Sequence, residues 1–169
     1  MNKNIKTLEL GTINIESGKV YATDPCYPTD IWCQKLVNVK AGKYICRAVI
    51  SDEGDWGKRI SEISISHTDN PKNLGKYILS DNIGVDSGQC GFFEKEYYEE
   101  FHNGHFIVEN DKDKEWYDKV CNITLNGEFC GCVDDKGVVS ESGYGDGCYT
   151  LYAGYNSKDE IVALRVRFI

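Results

Sequence analysis

The feature that most limits this fold is a series of strand-type runs separated by short polar turns, with no regular alternation of strand and helix. Residues 8–15 (LELGTINI) and 19–23 (KVYAT) flank Glu16, Ser17 and Gly18 and read as a hairpin. Residues 43–51 (KYICRAVIS) and 59–67 (RISEISISH) form a second expected pair around the polar turn DEGDWG at 52–57. Ile60, Ile63 and Ile65 break strict alternation, which predicts a bulge near Ser61. Further strands are expected at 128–133, 138–140, 148–153 and 161–168.

Helical signals are confined to the middle. Residues 94–102 (EKEYYEEFH) put Tyr97, Tyr98 and Phe101 on one stripe with glutamates opposite. Glu94 and Glu96 suit the positive end of the helix dipole, and Asn103 with Gly104 supplies a stop. A second short helix is expected at 113–121. Strands, then a helix pair, then strands describe an α+β fold: a mainly antiparallel sheet, sandwich-like or strongly curved, with one or two helices inserted at about residues 94–121. At 169 residues, a single domain spanning 1–169 is expected.

A formal net charge of −8 argues against direct nucleic-acid binding, which calls for a basic patch. No apolar run approaches the ~20 residues of a membrane span. The start, MNKNIKTLELGTINI, lacks the apolar block of an export signal, so a cytoplasmic location is expected. Between residues 94 and 119, nine acidic residues face four lysines. This stretch reads as a solvated face or as a docking surface for a basic protein, carried by Glu94, Glu96, Glu99, Glu100, Asp111 and Asp113. The eight cysteines show no paired C-x-x-C spacing, so most are expected to be small buried hydrophobes and no metal site is assigned. Cys130 and Cys132, alternate residues of one strand, are the closest approach to a ligand pair, with Cys121 or Cys148 as a third. His102 and His105 read as ordinary surface histidines. Phosphate-loop, nucleophile-elbow and H-E-x-x-H patterns do not occur, and no cofactor is expected.

Three segments place an aspartate among turn residues beside a strand: ATDPCY at 22–27, GVDSGQCGFF at 84–93 and SGYGDGCY at 142–149. Asp24 before Pro25 is a turn initiator, Asp86 with Ser87 and Gly88 another, and Asp146-Gly147 a type I′ hairpin signal. If these segments gather at one sheet end, Asp24, Asp86, Ser87, Gly143, Tyr144, Gly145, Asp146 and Tyr149 are candidates for a ligand site, the aspartates for a hydroxyl-rich ligand or a hard cation and the glycine N–H groups for an anion. The tyrosines near these loops can also line a groove that stacks a ring.

These segments, in this order, resemble those of a bacterial family catalogued as domain of unknown function 4241. The matching motifs are Val20 to Pro25, Ala41-Gly42-Lys43-Tyr44, Val85-Asp86-Ser87-Gly88 and Ser142 to Tyr149, with the likeness continuing through Tyr152 to Tyr155 into the last apolar strand. The resemblance implies one compact domain whose aspartate-glycine loops belong to a shared architecture, and it implies no activity. Arg167 stands before Phe168 where members often carry aspartate. The residues suit a small acidic binding protein that sequesters a ligand or blocks a protein partner, a role open to a phage-type inhibitor of a bacterial defence system. The alternative is a hydrolase using Asp24, Asp86 and Asp146, with or without a divalent metal. The oligomeric state is not legible.

Overall fold

A computed structural model describes residues 4–70, 77–102 and 110–169. The strands are β1 (Ile5–Ile15), β2 (Val20–Thr23), β3 (Gln34–Leu36), β4 (Gly42–Asp52), β5 (Lys58–His67), β6 (Ile78–Val85), β7 (Gln89–Glu94), β8 (Cys130–Val133), β9 (Gly137–Glu141), β10 (Gly147–Tyr155) and β11 (Ile161–Arg167). Helices α1 (Lys95–Glu99) and α2 (Asp111–Leu125) lie between β7 and β8. The strands make two antiparallel sheets, β1-β4-β5-β11-β10-β6 and β3-β2-β7-β9-β8. This is the α+β, sandwich-like fold expected from the pattern.

Burial explains which strand joins which sheet. The main core fills the space between the sheets, with Ile13, Tyr44, Ile63, Leu151 and Leu164 from the larger and Val20, Ala22, Phe92 and Val138 from the smaller. A second core covers the outer face of the smaller sheet, where Tyr21, Phe93 and Val139 meet Tyr98 of α1 and Trp116 and Val120 of α2. Thus β2 and β7 are buried on both faces, as their unbroken burial shows. β1 alternates exposed and buried positions and lies at the edge of the larger sheet.

That difference separates β1 from β2. The expected hairpin does not form: the chain crosses between sheets at Glu16 to Gly18, and β1 pairs with β4 whereas β2 pairs with β3 and β7. The β4–β5 hairpin does form, and its bulge falls at Ser61, because Val49 pairs with Glu62 while Ile50 pairs with Ile60. β3, β6 and β7 carried no clear signal.

Helix α1 is shorter than expected because Glu94 is its cap, accepting from Tyr97 N. α2 is longer than expected at both ends, capped by Asn110 Oδ1 accepting from Asp113 N at 3.0 Å. The expected stop at Asn103 and Gly104, together with His105, lies outside the described residues. Trp116 ties the layers together: it stacks on Phe101 at 5.2 Å and donates from Nε1 to the Tyr97 hydroxyl at 2.8 Å.

Candidate functional site

Two sheet-crossing loops meet at one end of the sandwich. Residues 86–88 carry the chain from β6 in the larger sheet to β7 in the smaller, and residues 142–146 carry it back from β9 to β10. Because Val85 pairs with Gly147 and Gln89 with Glu141, the two loops must lie side by side. Ser142 N donates to Gly88 O at 3.0 Å across them. The two loop segments are therefore brought together, and Asp24 joins them from the end of β2.

Asp24 is fully buried and wholly engaged. Its Oδ1 accepts from Cys26 N at 2.8 Å and Ser87 Oγ at 2.6 Å. Its Oδ2 accepts from Asp86 N at 2.8 Å and Ser87 N at 2.7 Å. Four short bonds to one carboxylate fasten the 86–88 loop to β2 and leave Asp24 nothing to offer a ligand. Asp86 itself is exposed, and the hydroxyl of nearby Tyr27 is held far above its usual range, first by burial and then by that carboxylate.

The 142–145 segment is a tight turn, with Gly145 N donating to Ser142 O at 3.0 Å. Gly143, its first central residue, has φ +63°, and a Cβ there would come within 2.9 Å of Phe168 Cβ. The Tyr149 hydroxyl latches the turn, donating to Gly145 O at 2.6 Å, and Ser142 Oγ donates to the same carbonyl at 2.8 Å. The type I′ hairpin expected at Asp146-Gly147 is therefore absent, since β9 and β10 belong to different sheets. Positive φ at both central residues appears instead at Asp134 and Asp135, between β8 and β9. Because Gly145 N–H is used within the turn, the glycine run closes a loop where converging donors for an anion were expected.

Beneath the two loops lies a cleft of about 400 Å³. Ser87, Gly143, Tyr144 and Gly145 line it; Asp24, Asp86, Asp146 and Tyr149 do not. Its other walls include residues that sequence reasoning missed: Arg59 of β5, Gln89 of β7, Glu141 of β9, and Tyr117 and Thr124 of α2. Gln89 Oε1 accepts from Thr124 Oγ1 at 2.9 Å, which pins α2 to the floor. Burial raises the Glu141 carboxyl, an effect that nearby Arg59 opposes. Arg59 Nε is itself buried and has no hydrogen-bond partner among the described residues. At the mouth Tyr144 is 55% exposed, packs edge-on against Trp56 and donates to Glu53 Oε2 at 2.9 Å. Gln89 and Glu141 directly flank the glycine loops and were findable by adjacency; Arg59 and Tyr117 carried no local signal.

The acidic candidates are dispersed. Glu94 and Asp113 are buried as part of the two helix caps, and Glu99 is held by the Tyr21 hydroxyl at 2.7 Å and Lys95 at 2.6 Å. Glu96, Glu100 and Asp111 remain exposed. His102, expected at the surface, is fully buried against Tyr98 and Trp116, because the helical turn directs it beneath the second core. Among the cysteines only Cys46, Cys90 and Cys130 are buried, and Cys148 is exposed, so most are not interior hydrophobes. Among the described residues no three His, Cys, Asp or Glu side chains gather to hold a metal ion, and no helix is long and apolar enough to cross a membrane.

No curated protein and no solved structure matches the chain. One family model, described as "Protein of unknown function (DUF4241)", matches residues 13–166, nearly the whole length, and the chain belongs to that family.

Proposed function

We propose that this is a non-catalytic binding protein whose cleft takes a small ligand with an acceptor oxygen and a flat apolar part. The observation that carries the reading is Arg59: a cation partly withdrawn from water, its Nε without a partner among the described residues, at a cleft walled by two latched loops. An incoming anionic oxygen would meet the Arg59 guanidinium at the cleft wall, where a hydrogen bond to a charged group is worth about 1.5–3 kcal/mol. Tyr144 and Leu125, both exposed at the rim, offer surface for a ring. Sequestration is favoured over a partner-blocking acidic face because Glu94 and Asp113 are buried and Glu99 is already paired.

The test is amide NMR with a panel of nucleoside monophosphates, sugar phosphates and aromatic carboxylates. At least one should shift residues 87–89 and 141–145 in the protein and fail to do so in Arg59→Gln. A panel that shifts neither loop, or shifts both proteins alike, would remove the reading. One observation favours a hydrolase instead: Glu141 lines the cleft together with Arg59, and burial raises its carboxyl in the direction a general acid or base needs. Turnover of a bound ester that is abolished in Glu141→Gln with binding intact would establish that second reading.

A further inference from the structure

We propose that Cys132 and Cys46 form a thiol pair that hydrogen peroxide converts into a disulfide joining the two sheets. The pair is independent of the ligand cleft. β1 is the edge strand of the larger sheet and β8 the edge strand of the smaller, and the two edges meet, with Asn14 N donating to Asp135 O at 2.7 Å just beyond β8. Cys46 on β4 is the cross-strand partner of Gly11 on β1. Gly11 has no side chain, and a Cβ built there would lie 3.6 Å from Cys132 Sγ. Cys132 of β8 therefore occupies the space a side chain at Gly11 would fill, next to the cross-strand partner Cys46. Cys132 Sγ is held against β1 by donating to Leu10 O at 3.7 Å, beside Gly11, and both cysteines pack in the inter-sheet core.

Exposure gives the two sulfurs different roles. Cys46 is fully buried, whereas Cys132 is half-buried and opens on a cleft of about 950 Å³ beside α2. The neighbouring Cys46 thiol holds the Cys132 thiol below its usual range, and Cys132 together with burial pushes Cys46 up, so the more accessible Cys132 is the sulfur that supplies thiolate. Its thiolate attacks one peroxide oxygen; the S–O bond forms, the O–O bond breaks, and hydroxide leaves to be protonated to water. Cys46 then attacks the sulfenic sulfur: the S–S bond forms, the S–O bond breaks, and hydroxide departs with the Cys46 proton as a second water. Two thiols lose two electrons and two protons in all, and one peroxide becomes two waters. Cys148, exposed, serves as the internal control for simple accessibility.

The experiment treats the full chain with one equivalent of hydrogen peroxide, unfolds it, alkylates free thiols and maps the peptides. The expected result is a mass loss of about 2 Da before alkylation, a Cys46–Cys132 cross-linked peptide, and reversal by dithiothreitol. In Cys46→Ser, Cys132 should stop at the sulfenic acid and be trapped by dimedone. Should that buried substitution prevent folding, Cys132→Ser at the half-exposed site must abolish the 2 Da loss. Cys46 and Cys132 both fully alkylated after treatment, with Cys148 or another thiol oxidised in their place, would overturn the proposal. So would a cross-link between any other pair.

Discussion

His102 offers a quantitative test of how the second core is sealed. Its ring lies 4.2 Å from Tyr98 and 4.9 Å from Trp116, centroid to centroid, and neither ring nitrogen has a hydrogen-bond partner among the described residues. Burial disfavours the imidazolium and lowers the group from 6.5 to about 4. The unfolded chain therefore binds the proton first as the solution is acidified. Stability from this group is complete above pH 6.5, falls away below it, and is fully lost near pH 4. Between pH 7.5 and pH 4.5 the linkage is worth about 2.5 kcal/mol, from 1.36 kcal/mol per pH unit over nearly two units. The perturbation is His102→Phe, which keeps an aromatic ring against Tyr98 and Trp116 and removes the titration. Urea unfolding at the two pH values should show wild type losing about 2.5 kcal/mol more than the variant. The subtraction cancels the carboxylates both proteins share, including Asp134 and Glu99, whose partners hold them low. Parallel losses in the two proteins would refute the reasoning, because they would mean the unfolded and folded imidazoles take the proton at the same pH.

Asp24→Asn should destabilise the protein by about 3 kcal/mol in thermal or urea unfolding, because an amide cannot accept all four bonds and turns an N–H toward donors. Trp116→Ala should cost about 4 kcal/mol, the range for a large buried aromatic, and should reduce the helical signal near 222 nm as α2 loses its anchor. Reversing the exposed Glu96, Glu100 and Asp111 to lysine should cost about 1–2 kcal/mol, from two helix first turns and the Glu100–Lys112 pair, and leave ligand-induced shifts at residues 87–89 intact.

What the sequence revealed depended on whether a strand has one wet face. β4 and β5 alternate, so their pairing and even the extra residue at Ser61 were legible. β7 (QCGFFE) is packed on both faces, by the inter-sheet core and by the helices, so it shows no alternation and its Gln89 and Gly91 masked it. β2 and β1 looked like a hairpin because Glu16 to Gly18 is a good turn, but turn chemistry does not say which sheet the next strand enters. The convergence of the aspartate-glycine loops was, from the sequence, only a condition for a site. Their division of labour was not legible there: Asp24 is consumed by backbone N–H groups sixty residues away, which no local spacing reports. Arg59 comes to the cleft only because β5 begins beside the 142–145 turn, a consequence of strand order and not of its neighbours in the chain.

The most direct test of the ligand cleft is native mass spectrometry of the protein as purified from its expression host, set beside Arg59→Gln and a denatured sample. The account predicts a mass above the 19.1 kDa chain in the native wild type, absent after denaturation and absent or much reduced in Arg59→Gln. A wild-type chain at its bare mass, or an adduct retained equally by Arg59→Gln, would contradict it.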